Sequence, residues 1–278
     1  MRRGKYRLLV HKDFANSQLT NHLAGGIEEL KKHYQLVHVP SSDTALIYKF
    51  NVAGDILYYK QHRFRDWRDV IKHTFRPSRS MRAMKGTLTL TNNGLKAPEI
   101  ITVAERMVGP LCLENFTIAR QLPGSTTLYE LIKNIVCKKT TVILADKRRL
   151  VRSLGNTIGF MHSKNICQGD LRLGNIMILE NNGKFDFAFL DNERTRHFRN
   201  LPIKLQIKNL VQLNMSRAFF SKTDVIRFWK EYSKYNNQMR PSQRDMLKEI
   251  KNITDKRLRS RAQRKNTTIM PDAVLPSQ

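Results

Sequence analysis

The apolar positions along the chain change spacing about halfway through. From Tyr34, three short runs rich in β-branched and aromatic residues, YQLVHVP, TALIYKFN and ILYYKQH, predict strands separated by PSSD and VAGD. Gly54-Asp55 is read as the turn pair that folds the last two runs into a hairpin. The segment SRSMRAMKGTLTLTNNG predicts a helix opened by Ser78 and closed near Gly94. PEIITVAERM and NFTIARQL read as two further strands. After the loop PGSTT, Thr126 or Thr127 caps a helix TLYELIKNIV with Glu130 in its first turn. Between Asp146 and His162 the period changes: Leu150, Val151, Leu154, Ile158 and Met161 recur at i, i+3, i+4 spacing, which predicts a long helix. NICQGDLRLGN, a hairpin-like IMILENNGKFDFAFLD and three helical patterns follow. Up to Tyr34 the chain shows only short apolar pieces with scattered charge.

Strands followed by helices predict an α+β fold with two lobes. The boundaries read as 1–121 for a small β-rich N-terminal lobe, 122–265 for a larger, mainly α-helical lobe, and 266–278 for a flexible tail. A cleft between two lobes is a natural ligand site.

Composition narrows the partners. The chain has 278 residues with a formal net charge of +27, and 40% of its residues are hydrophobic. That combination fits a globular protein with a polyanionic neighbour: nucleic acid, lipid headgroups or a phosphorylated substrate. No apolar run is long enough to span a bilayer, and LLV near the N-terminus is too short for a signal-peptide core. Cys112, Cys137 and Cys167 are widely spaced and form no CxxC pair, so they read as reduced cysteines of a cytoplasmic protein. Positive charge concentrates in Lys60–Lys85, with nine Lys/Arg against two Asp, and again in Lys256–Arg261. The second run suits an anionic membrane surface.

Candidate chemistry sits in Gln168-Gly169-Asp170-Leu171-Arg172-Leu173-Gly174-Asn175. An Asp on a tight loop, an Asn five residues later and then a strand have the spacing of a kinase catalytic loop. Asp170 would accept the proton of an attacking hydroxyl, and the Asn175 amide oxygen would face Mg²⁺ on the phosphate side. Asn181-Asn182-Gly183 turns the chain back so that Asp191 comes beside Asn175 as a second magnesium ligand. Lys60, at the end of ILYYK, is the candidate for the ATP phosphates.

These residues resemble the lipopolysaccharide kinase family, the Kdo and core-heptose kinases, which are distant relatives of protein kinases. The resemblance is carried by Tyr58-Tyr59-Lys60, Ser78-Arg79-Ser80 with Gly94 to Pro98, His162 to Asn175, Phe189-Leu190-Asp191, and Arg227-Phe228-Trp229-Lys230-Glu231-Tyr232. It implies a bilobal protein-kinase-like fold, ATP and Mg²⁺, a sugar hydroxyl of the lipopolysaccharide inner core as acceptor, and a place on the cytoplasmic face of a bacterial inner membrane. Arg63, Arg79, Arg172 and Arg194 are candidates for binding the anionic acceptor. Several features depart from the family pattern. Gln168 replaces the usual His, the metal triplet is Asp191-Asn192-Glu193 without glycine, and Ala83 stands where a helix often supplies a Glu to the ATP lysine. Either Glu99, Glu105 or Glu114 serves instead, or Lys60 is oriented differently. PSSD replaces the glycine-rich loop, with Ser41 and Ser42 as phosphate contacts. Asn192 and Glu193 read as structural, with a second metal contact as the alternative for Glu193; His162 reads as a capping or packing residue, and Trp67 and Trp229 as packing anchors.

Other acceptors stay in view: a protein or small-molecule hydroxyl, or no catalysis at all in a pseudokinase or polyanion-binding protein. Aminoglycoside-type acceptors are polycations and match a +27 chain poorly. No nucleic-acid-binding module is recognisable.

Overall fold

A computed structural model describes residues 2–15, 17–41, 43–64, 66, 68, 76–122, 124–137, 144–181, 184–235 and 242–268. Ser42, Arg65, Trp67, the 182–183 turn and the tail beyond 268 lie outside them. The chain divides into two compact units, 1–126 with 177–196, and 127–176 with 197–278.

The first unit is built on a seven-stranded antiparallel sheet. Its strands are β1 (Arg2–Arg3), β2 (Tyr6–Val10), β3 (Val37–Val39), β4 (Ala45–Val52), β5 (Asp55–His62), β6 (Ile100–Val108) and β7 (Leu111–Arg120), in the order β1-β2-β6-β7-β5-β4-β3. Alternation along β5 sorts its side chains: Leu57 and Tyr59 point into a core with Phe50, Phe116 and Ile118, and Lys60 and His62 fall on the opposite face. The core is closed by α1 (Gln18–Leu23) and α2 (Ile27–His33), which contribute Leu19, Leu23 and Leu30. Sequence patterning assigned no element here, because each helix is under two turns long and offers only one or two apolar positions. Their ends carry the signal instead. Ser17 caps α1 by accepting the Thr20 N–H, and α2 places Glu28 and Glu29 in its first turn and Lys31 and Lys32 in its last.

The β4–β5 hairpin is real, but its turn is one residue earlier than expected. Val52 pairs with Asp55, so Ala53 and Gly54 are the two central residues, both at positive φ (51° and 93°). Asn51 Oδ1 accepts the Gly54 N–H at 3.0 Å, a local bond that holds alanine in this unfavourable region. Strand β5 then continues to His62, so Lys60 lies within the strand and not at its end. β7 begins at Leu111, four residues before the expected start.

Helix α3 (Arg79–Thr91) opens at Ser78, whose side chain accepts the Met81 N–H, and the chain leaves it through Gly94 at φ 77°. In the second unit, Thr127 and Glu130 form a capping box on α4 (Leu128–Val136), beginning at the second residue of the short strand β8 (Thr126–Thr127). α5 (Leu144–Ser163) packs against α7 (Lys222–Ser233), and α6 (Ile203–Asn214) against α8 (Gln243–Thr268). Gly155 and Gly159 permit the first contact: a Cβ on either would lie 2.3 Å from the Phe228 carbonyl oxygen or 2.6 Å from that of Tyr232. The run from Arg227 to Tyr232 is therefore an α5-packing element. α8 extends to Thr268, three residues into the segment expected to be tail.

Candidate active site

In the first unit the site grows from β5 and from the end of a hairpin. β10 (Ile176–Asn181) and β11 (Lys184–Phe189), which follow the two-residue β9 (Ile166–Cys167), are neighbours in a small sheet. The Phe189 N–H donates to the Lys96 carbonyl at 2.9 Å, and Lys96 also pairs with Asp186. The chain then turns sharply at Asp191, which sits in the left-handed region (φ 57°, ψ 48°). A non-glycine residue held there costs about 1 kcal/mol, a strain often found at functional positions. Lys60 Nζ donates to Asp191 Oδ1 at 2.5 Å. Burial alone would raise the Asp191 carboxyl, but the Lys60 ammonium, with the His62 ring and Arg79 guanidinium behind it, holds the carboxyl below its usual range.

None of the three glutamates expected to pair with Lys60 does so. Glu99 takes Arg120 at 2.9 Å, Glu114 is bound by Tyr6 and Arg106, and Glu105 stands opposite Arg7 in the β2–β6 register. Their side chains belong to β6, β7 and the segment leading into β6. Lys60 instead takes the nearest carboxylate on its own face.

The turn after Asp191 is held against α3. Asn192 is buried, and its amide donates to Phe189 O at 2.8 Å and Thr87 Oγ1 at 3.2 Å, in keeping with the structural role expected of it. Glu193 receives Arg79 through two bonds, Nε to Oε2 at 2.7 Å and Nη2 to Oε1 at 3.2 Å. Arg79 is thus engaged within the protein. Arg194 lies 3.7 Å from Glu193 and is largely exposed, and Arg63 is exposed with its N–H on the Thr44 carbonyl. Ser41 spends its hydroxyl on the Ala45 carbonyl at 2.7 Å.

In the second unit the catalytic-loop motif is tied together atom by atom. Gly169 adopts φ 82°, which a side chain would resist. Gln168 is fully buried, and its Oε1 accepts the Asp170 N–H at 2.8 Å, so the amide does support the loop. Asn175 Nδ2 donates to the Asp170 carbonyl at 2.9 Å and to its carboxylate at 3.3 Å. That orientation spends the Asn175 amide nitrogen, and not its amide oxygen, on the loop. Arg172 pairs with Asp170 Oδ2 through an exposed guanidinium.

A buried chain of hydrogen bonds reaches this loop from three helices. His162 Nδ1 bonds Tyr232 Oη at 2.9 Å, and its Nε2 bonds Asn209 Oδ1 at 3.2 Å. Asn209 donates to Gln212 Oε1, which also accepts the Leu171 N–H; Gln212 Nε2 donates to the Gly169 carbonyl at 3.1 Å. An Asn209 oxygen facing the ring fixes the proton on Nε2, so Nδ1 accepts from tyrosine. Burial pushes the His162 pKa down to about 4. Between the ordinary value of 6.5 and about 4 the unfolded chain binds a proton that the folded chain refuses. Stability is therefore complete above pH 6.5 and falls by roughly 3 kcal/mol as the pH drops to 4. Urea unfolding at stepped pH should show this slope, and His162→Gln should remove that part of it. An unchanged slope in the variant would refute the assignment.

Trp229 packs on Tyr232 with ring centroids 5.2 Å apart. It also lines an apolar cavity of about 700 Å³ with Leu154, Leu210, Phe220, Phe228 and Ile250. Cys112 and Cys167 are buried, Cys137 is exposed, and none is bonded to another among the described residues.

Three residues of the site escaped sequence reading. Gly86 lets α3 approach so closely that a Cβ there would stand 2.0 Å from the Asn192 carbonyl oxygen. Its signal was present, since an isolated glycine inside a helical pattern asks for a packing reason. Gln212 lies inside an ordinary helical pattern and gave none. His62 is buried beside Lys60 with both ring nitrogens lacking a hydrogen-bond partner in the structure, and nothing in its strand context marked it.

Among solved structures the chain is similar to "WaaP in complex with acyl carrier protein", with a TM-score of 0.65 at 15% identity, over 90% of this chain and 98% of that one. The model of the lipopolysaccharide kinase (Kdo/WaaP) family matches residues 27–232, and the chain belongs to that family. It is accordingly an ATP-using kinase of lipopolysaccharide biosynthesis, acting on a sugar hydroxyl. A comparison with curated proteins gave no match.

Proposed function

We propose that the chain transfers the γ-phosphoryl group of ATP to a hydroxyl of Kdo or heptose in the lipopolysaccharide inner core. The observation that carries this reading is the Asp170–Asn175 loop, built with its amide nitrogen turned inward and its carboxylate paired with Arg172. Asp170 accepts the proton of the attacking hydroxyl as its oxygen bonds phosphorus and the bridging oxygen leaves with ADP. Lys60 steadies the ATP phosphates. Asp191 and Asn175 would each offer an oxygen to Mg²⁺, which would neutralise phosphate charge when bound. The donor types suit that ion, since magnesium takes hard oxygen ligands such as a carboxylate or an amide oxygen and keeps several waters. Among the described residues no cluster of three His, Cys, Asp or Glu competes for a softer metal. Mass spectrometry of the core from cells with and without the protein tests the reading. Loss of one phosphate names the sugar, and an unchanged core removes the proposal.

The place of work we propose is the cytoplasmic face of the inner membrane. No helix among the described residues is long and apolar enough to cross a membrane. Towards its C-terminal end α8 carries Lys256, Arg257, Arg259 and Arg261, all exposed, and no residue of the helix from 255 to 264 is buried. Each such cation near an anionic surface contributes about 1 kcal/mol. Binding to phosphatidylglycerol vesicles should weaken steeply with salt and largely vanish when these four residues become glutamine. Salt-independent binding would argue against this surface.

A further inference from the structure

In the kinase pattern that this chain resembles, a helix supplies a Glu to the ATP lysine; here α3 supplies none, yet it is fastened to the site by other means. Three contacts along one face reach the turn after Asp191: Arg79 on Glu193, Thr87 on Asn192, and the bare backbone at Gly86 against the Asn192 carbonyl. Arg79 and Glu193 are both mostly buried, with side chains 19% and 8% exposed. Arginine is also the wrong charge for its position. Arg79 is the first residue of α3, whose first turn has no acid, and a helix N-terminus disfavours a cation. The helix gains nothing from it, so its gain must come from Glu193.

We infer that the Arg79–Glu193 pair is a positioning clamp that holds Asp191 in the left-handed conformation from which it binds the metal. Asp191 does not adopt that backbone conformation by preference, and its bond to Lys60 is one that a metal ion and ATP phosphates would compete for. Once Asp191 turns to the metal, contacts to α3 are what fix the loop. A planar guanidinium gripping both carboxylate oxygens constrains rotation as well as distance, which an ammonium does not. The helix that elsewhere orients the lysine here orients the metal ligand. The inference rests on the proposal that Asp191 holds Mg²⁺.

The test compares wild type with Arg79→Gln, Arg79→Lys, Glu193→Gln and the reversed pair Arg79→Glu with Glu193→Arg. The readouts are Mg²⁺ dependence of kcat at saturating ATP, KM for ATP, and thermal melting. Loss of a group that orients a metal ligand costs about 10–100-fold in metal affinity or activity. Arg79→Gln and Glu193→Gln should therefore shift the half-saturating Mg²⁺ concentration upward by that order, with Arg79→Lys between them and wild type. The reversed pair should recover most of the loss. A purely structural contact would lower the melting temperature and leave the Mg²⁺ dependence in place, and that result overturns the clamp. Loss in Glu193→Gln with wild-type behaviour in Arg79→Gln makes Glu193 a metal ligand and also overturns it. Should the reversed pair fail to fold, Arg79→Gln decides alone, since arginine cannot ligate a metal. A wild-type protein that phosphorylates no core acceptor withdraws the proposed function, whereas active wild type with unaffected variants withdraws only the clamp.

Discussion

Asp170→Ala is expected to lower kcat by about 10²–10⁴-fold, the range for removing a positioned general base. KM for ATP should stay near wild type, because the carboxylate is assigned to the acceptor hydroxyl and not to the nucleotide. The fold should survive. The loop is fixed through backbone groups, with the Asp170 N–H on Gln168 and the Leu171 N–H on Gln212, and both bonds persist in alanine. What the variant loses in the resting protein is one ion pair to an exposed guanidinium, worth no more than about 1 kcal/mol, and two long hydrogen bonds to the carboxylate, from Asn175 Nδ2 at 3.3 Å and Gln212 Nε2 at 3.4 Å. A factor of 10³ in rate corresponds to about 4 kcal/mol in the barrier, so the catalytic loss far exceeds the structural one. Single-turnover phosphorylation of purified core acceptor, paired with a thermal melt, separates the two. A kcat within threefold of wild type would remove Asp170 from the chemistry and favour acceptor activation by another group.

Much of this candidate site can be proposed from sequence because its residues are local in the chain. Asp170, Asn175 and Asp191 are set by spacing along one loop and one hairpin, and the caps at Ser78 and Thr127 announce themselves within four residues. What sequence could not supply is pairing between distant positions. Lys60 and Asp191 are 131 residues apart, and Arg79 and Glu193 are 114 apart. Periodicity places each residue on a face but does not say which faces meet. Composition misled in one respect: the cluster of arginines from Lys60 to Lys85 suggested an open surface for an anionic acceptor, whereas Arg79 satisfies an internal carboxylate. The N-terminal helices failed for another reason. α1 and α2 are too short for a 3.6-residue period to register, and they exist because Leu19, Leu23 and Leu30 cap a core that Tyr6, Leu8 and Phe116 build elsewhere.

Gly86→Ala should damage the enzyme severely, against the usual expectation for such a change. In a helix interior, glycine to alanine ordinarily adds about 0.5–1 kcal/mol of stability. At position 86 the new Cβ would stand 2.0 Å from the Asn192 carbonyl oxygen, and real Cβ atoms essentially never come within 3.0 Å of such an atom. The obstacle is backbone, so no rotamer relieves it; the helix and the turn must separate by about 1 Å. Overpacking of this kind costs about 1–3 kcal/mol, which more than cancels the helix gain. The displaced turn carries Asp191, Asn192 and Glu193 together. A 1 Å misplacement at a catalytic centre lowers rate by about 100-fold, so kcat should fall by that order even in the fraction that remains folded. Gly155→Ala supplies the comparison, because its Cβ would meet the Phe228 carbonyl oxygen at 2.3 Å, a clash of similar severity between α5 and α7. Both variants should melt earlier than wild type, but Gly86→Ala should lose far more activity per folded molecule and require more Mg²⁺. Equal losses per folded molecule in the two variants would mean that α3 stabilises the unit without setting the position of Asp191.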